Sequence, residues 1–138
     1  MKSITTNLAP QAIGPYSQAT LKKGILYISG QLGIDPVTGN LARTFEEQTV
    51  LVFQNIQAIL SAANLTFHHV VKVSVFLTDM KDFVAMNEIY KRYFNEPFPA
   101  REAIQVAALP KGGEIEISVI AMESYISGLM PTYLTGTS

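Results

Sequence analysis

The chain has 138 residues, 48% hydrophobic and 15% charged, with a formal net charge of −1 and no cysteine. This length suits one domain with a sizeable core, and the composition excludes a disordered polymer. With no run of lysine or arginine there is no electrostatic footprint for nucleic acid, and without cysteine there is no disulfide, thiolate nucleophile or cysteine metal site.

The opening MKSITTNLAP has no apolar run of signal-peptide length, and no stretch approaches a membrane span, so a soluble cytoplasmic protein is expected. Residues 24–29, GILYIS, read as a strand stopped by Gly30, and IDPVTGN at 34–40 is turn chemistry. Thr44 followed three residues later by Glu47 is a capping-box pattern, and Phe45, Thr49, Val52, Ile56, Ile59 and Ala63 recur at helical spacing behind it. VVKVSVFL at 70–77 alternates: Val71, Val73, Val75 and Leu77 against Lys72, Ser74 and Phe76. A second helix, capped by Asp79 or Asp82, carries Phe83, Met86, Tyr90 and Tyr93 as its stripe and ends at Pro97. Strands follow at 101–106, where Ile104 and Val106 oppose Arg101, Ala103 and Gln105, and at 114–122, where Ile115, Ile117, Val119 and Ala121 oppose Glu114, Glu116, Ser118, Ile120 and Met122.

This order predicts an α+β fold: a mostly antiparallel or mixed sheet with both helices on one face. The other face keeps Phe76, Ile120 and Met122, an apolar surface expected to pack against further copies of the chain. By alternation Arg101 and Glu116 are expected to share that bare face. Two readings of the pair stand. One is a cross-strand ion pair worth little in water. The other is a site for a carboxylate substrate, which the planar fork of arginine grips with two parallel hydrogen bonds while a glutamate positions or deprotonates a water.

Weaker candidates lie upstream. Tyr16 in GPYSQA at 14–19 is either a phenol lining a cleft or a packing residue, and Ser29 and Gly30 in YISGQLG at 27–33 offer a small hydroxyl and close backbone approach. His68 and His69 read as surface residues between helix and strand, and no spacing of histidine and carboxylate suggests a metal.

Taken in order, GPYSQA, YISGQLG, NEIYKRYF, FPARE, QVAALPKG and EIEI resemble the RidA family, also called YjgF/YER057c/UK114, over roughly residues 3–123. The resemblance implies a chorismate-mutase-like fold and a homotrimer whose sheets line a central barrel with clefts between subunits. It also implies hydrolysis of 2-imino acids to 2-oxo acids and ammonia, without cofactor or metal. It assigns Arg101 to the substrate carboxylate and Glu116 to the hydrolytic water. Tyr16, Ser29, Gly30 and Asn87 are assigned to the cleft, although Asn87 reads equally as a helix residue bonding a loop. Many relatives carry cysteine where this chain has Ala103, so that side chain cannot be a nucleophile, while its backbone remains able to bond a ligand. A further acidic residue common in the family is Ser118 here.

One domain is thus expected over residues 1–125, followed by an extension at 126–138 of unassigned role. The expected partners are a small 2-imino acid and two copies of the chain, with neither nucleic acid nor membrane. Competing functions are an endoribonuclease or translation inhibitor, or a trimer that binds small carboxylates without catalysis.

Overall fold

The structure, a computed structural model, describes residues 1–124, so the extension expected at 126–138 lies outside the described residues. The strands are β1 (Lys2–Ile4), β2 (Ala19–Lys22), β3 (Ile25–Leu32), β4 (Val70–Leu77), β5 (Ala100–Gln105) and β6 (Ile115–Met122); the helices are α1 (Phe45–Ala62) and α2 (Phe83–Tyr90). Among the described residues they form one sheet in the order β1-β2-β3-β6-β4-β5. Every neighbouring pair is antiparallel except β4 and β5, which run parallel and are joined through α2. The fold is therefore α+β with a mixed sheet and two helices, as expected.

Local chemistry sets the ends of α1. The Glu47 amide donates to Thr44 Oγ1 at 3.1 Å, and the Thr44 hydroxyl donates to Glu47 Oε1 at 3.2 Å. Phe45, Thr49, Val52, Ile56 and Ile59 are all buried, and Ala63 is the C-cap. Asp79 caps only a short 3-10 turn, by accepting from the Lys81 amide, while Asp82 at the start of α2 makes no side-chain cap bond. The second helix ends at Tyr90 rather than near Pro97, which leaves Tyr93 in the following turn.

Tyr93 nevertheless reaches the core. Phe53 of α1 stacks on it with ring centroids 4.5 Å apart and meets Tyr90 and Phe94 edge-on, each at 6.0 Å. Because Phe53 is fully buried at the centre of this cluster, truncating it to alanine would cost about 3–5 kcal/mol.

The sheet buries Leu26, Ile28, Val73, Val75, Leu77, Ile115, Ile117, Val119 and Ala121 with the helices in one core. Two strands depart from simple alternation. A register shift between Val70 and Lys72 puts Val70 in the core and leaves Val71 exposed. A second shift lies between Ile28 and Gln31, so Gly30 does not stop β3: the strand runs through it to Leu32.

Among the described residues the opposite face has no covering layer. Tyr27, Ile104 and Met122 are exposed there, with Phe76 and Ile120 half-buried between them. Among the described residues no helix is long and apolar enough to cross a membrane.

Candidate active site

The expected site residues fall into two groups. Glu116 holds the first together. It projects from β6 on the bare face, in register with Phe76 of β4 and Leu32 of β3. Its carboxylate lies across Gly30: a Cβ added there would stand 2.8 Å from Glu116 Cδ and 3.0 Å from Oε2. Glycine at this position thus makes room for the carboxylate. Partial burial raises the pKa of Glu116 above the ordinary carboxylate range.

Ser29 ties this bulge to the 14–19 segment. Its hydroxyl donates to the Ser17 carbonyl at 2.7 Å, and its amide donates to the Gln18 carbonyl at 2.9 Å. Tyr16, one residue before Ser17, is 55% exposed, with the edge of its ring beside Gly14. Gln18, which the sequence did not single out, organises the loop. It is buried, accepts from the Thr6 amide at 2.8 Å, and donates to the carbonyls of Thr6 and Pro10 at 3.1 and 2.7 Å.

Arg101 centres the second group, and here the structure corrects the expectation. Arg101 does not share the bare face with Glu116. Parallel pairing sets it beside Val73, which is fully buried under the helices, and so turns its side chain toward α2. There Nη1 donates to Asn87 Oδ1 at 2.7 Å, and the guanidinium carbon sits 4.7 Å from the centre of the Tyr90 ring and 5.5 Å from that of Phe83. Ala103, two residues along, faces the same way and packs against the core. The alternation of β5 was right, but its faces were reversed.

The bare face takes Glu102 instead, which accepts from the Ser74 hydroxyl and pairs with Lys72 Nζ at 3.1 Å. The Ser74 hydrogen bond, then Lys72, hold Glu102 below the usual carboxylate range. Among the described residues Arg101 makes no ion pair, since its neighbour Glu102 is engaged on the other side of the sheet.

A cleft of about 530 Å³ opens over Arg101, walled by Phe83, Asn87, Tyr90, Phe98 and Pro99. A larger groove of about 690 Å³ between the 35–43 loop and the two helices includes neither Arg101 nor Glu116. Glu114 is occupied structurally: Gln48 Nε2 donates to its carboxylate at 3.0 Å, and its amide donates to Gln48 Oε1 at 2.9 Å. His68 is exposed, and His69 Nδ1 accepts from the Thr66 amide at 3.0 Å.

The chain that sets an arginine on an aromatic bench and lays a half-buried glutamate over a glycine also matches a known family. Residues 6–123 match the family described as Endoribonuclease L-PSP, which is the RidA/YjgF family. The chain belongs to the RidA family.

A protein from Capra hircus named 2-iminobutanoate/2-iminopropanoate deaminase is 53% identical over 121 residues, 87% of this chain and 88% of that one. The Homo sapiens protein of the same name is 51% identical over 121 residues, with the same coverage. The crystal structure of RidA from the Antarctic bacterium Psychrobacter sp. superposes with a TM-score of 0.86 at 49% identity, covering 88% of this chain and 99% of that one. E. coli TdcF with bound serine gives a TM-score of 0.86 at 40% identity, covering 90% of this chain and 100% of that one. RidA-family structures thus share the mixed sheet and paired helices described above.

Proposed function

We propose that this protein is a deaminase that hydrolyses reactive 2-imino acids, 2-aminoacrylate/2-iminopropanoate and 2-iminobutanoate, to 2-oxo acids and ammonia. Relatives about half identical over most of the chain carry that name. The observation that carries the reading in this chain is the state of Arg101: stacked on Tyr90, bonded to neutral Asn87, without an ion-pair partner among the described residues, and open to a cleft. That is a preorganised receptor for a carboxylate.

Arg101 and Glu116 act on one substrate only if two subunits meet. Within a chain they are separated by two strand spacings across the sheet and three residues along it, about 10 Å each way, and they point to opposite faces. We therefore place the site between subunits of a homotrimer whose bare faces line a central barrel. One subunit supplies Arg101, Asn87 and the backbone around Ala103. Its neighbour supplies Glu116, Gly30, Ser29 and Tyr16.

The substrate carboxylate pairs with Arg101, which fixes the imine carbon near the neighbour's glutamate. Glu116 orients a water and takes its proton as the oxygen attacks that carbon. The resulting carbinolamine collapses to the 2-oxo acid as its nitrogen leaves, protonated, as ammonia. The raised pKa of Glu116 brings its basicity closer to that needed for the proton transfer. Spontaneous imine hydrolysis is already fast, so a site with one cation and one carboxylate is adequate.

The domain over 1–125 carries this activity, in the cytoplasm, with no cofactor required. A serine/threonine dehydratase that generates the imines in situ provides the test. Faster imine loss with wild type than with Arg101→Ala or no protein is the expected result. Equal rates in all three would overturn the reading and turn attention to carboxylate binding and RNA cleavage.

A further inference from the structure

We propose that Tyr90 is a positioning residue: the face of its ring is the platform that holds the Arg101 guanidinium in place, and so sets how tightly the substrate carboxylate is bound. The identity of the substrate rests on the deaminase reading, whereas the platform is a property of Arg101 and its surroundings.

The geometry points there in three ways. First, among the described residues the guanidinium makes one hydrogen bond, from Nη1 to Asn87 Oδ1 at 2.7 Å. One bond leaves the group free to swing about that contact, and a ring face beneath it removes this freedom. Tyr90, at 4.7 Å, is the nearer of the two rings that flank the cation.

Second, the platform is packed in place. Tyr90 is 6% exposed, packed on Phe94 with centroids 4.5 Å apart and edge-on to Phe53 at 6.0 Å. The floor under Arg101 is thus continuous with the aromatic core between α1 and α2.

Third, among the described residues the buried Tyr90 hydroxyl has no hydrogen-bond partner. Burial raises its pKa, and the charge of Arg101 and then a side-chain hydrogen-bonding interaction with the guanidinium oppose that rise, although no described atom meets the hydroxyl at full hydrogen-bond distance and angle. What tyrosine supplies to the cation here is its ring face. Sequence reading placed Tyr90 only in the apolar stripe of a helix, because helical spacing cannot tell which buried ring has an arginine above it.

The experiment weakens the ring electrostatically while keeping its shape. Tyr90 is replaced by phenylalanine, then by 4-fluoro- and 3,4,5-trifluorophenylalanine, in the full chain. The KM for dehydratase-generated 2-iminobutanoate, kcat, the melting temperature and the Kd for 2-oxobutanoate are measured for each.

Tyr90→Phe is expected to stay within about twofold of wild type in KM, since only the unaligned hydroxyl is lost. Successive fluorination is expected to raise KM and Kd together, by about tenfold across the series, with kcat and melting temperature unchanged. A Kd independent of fluorination would overturn the platform. So would a Kd that rises only as the melting temperature falls, which is the mark of a purely structural role. If wild type fails to hydrolyse imine, the deaminase reading falls, while the Kd series still decides the role of Tyr90.

Discussion

Arg101 and Glu116 stand on opposite faces of one sheet, the first over the rings of Tyr90 and Phe83, the second over Gly30. Each is arranged as half of a site. The arginine is oriented by Asn87 and Tyr90, and the glutamate is cradled by Gly30. A symmetric assembly joins such halves economically, since every copy contributes both and each cleft uses one of each.

Gly30 should be intolerant of even one methyl group. A Cβ there would collide with the Glu116 carboxyl carbon at 2.8 Å, and because that carbon ends a flexible side chain, the chain yields by swinging the carboxylate away. Gly30→Ala is expected to fold, with a melting temperature near wild type, and to lose roughly tenfold to a hundredfold in kcat from misplacement of the carboxylate. Steady-state imine kinetics beside a thermal melt checks this.

The raised pKa of Glu116 has two consequences for pH dependence. If the carboxylate is the base, kcat falls as pH drops through the raised value, and Glu116→Gln abolishes both the activity and that acidic limb. The stability effect runs the other way. The folded chain holds this proton more tightly than the unfolded chain, so between the two pKa values folding stability declines as pH rises, and above both the ionised group remains a net cost. Glu116→Gln should therefore raise the melting temperature at neutral pH, with the gain vanishing below the ordinary carboxylate range. Melts of both proteins across pH read the sign directly.

Gln48 separates the structural Glu114 from Glu116, the proposed base. Its side chain is buried, donates to Ala42 O at 3.1 Å and clasps Glu114 through both carboxylate and amide. Gln48→Leu strands those groups and should cost about 2 kcal/mol of stability. The KM for imine should change little, since Arg101 lies elsewhere. Chemical denaturation together with KM tests the separation.

Much of this arrangement was legible in the sequence because it depends on short-range patterns. Thr44 and Glu47 marked the start of α1, and the alternation of 115–121 marked the buried side of β6. What the sequence concealed depends on pairing between strands. The run VVKVSVFL does not announce that a register shift ejects Val71 and buries Val70. Alternation put Arg101 and Ala103 on one side of β5 but could not say which, because parallel register with β4, Arg101 beside Val73, makes that choice. Glu102 sits next to Arg101 in sequence, yet it points the other way and bonds Lys72 and Ser74. For Glu116 and Gly30, the short motifs EIEI and YISGQLG could suggest a family but not the contact between carboxylate and glycine.

The central claim is that a working site takes Arg101 from one subunit and Glu116 from the next. Its most direct test is subunit mixing. Arg101→Ala and Glu116→Ala chains, each inactive in imine hydrolysis alone, are unfolded together in equal amounts, refolded and assayed. Random assembly pairs an intact Arg101 with a neighbour's intact Glu116 in about a quarter of the clefts, so about a quarter of wild-type activity should return. A mixture as inactive as its components, with subunit exchange verified by mass, would contradict the account.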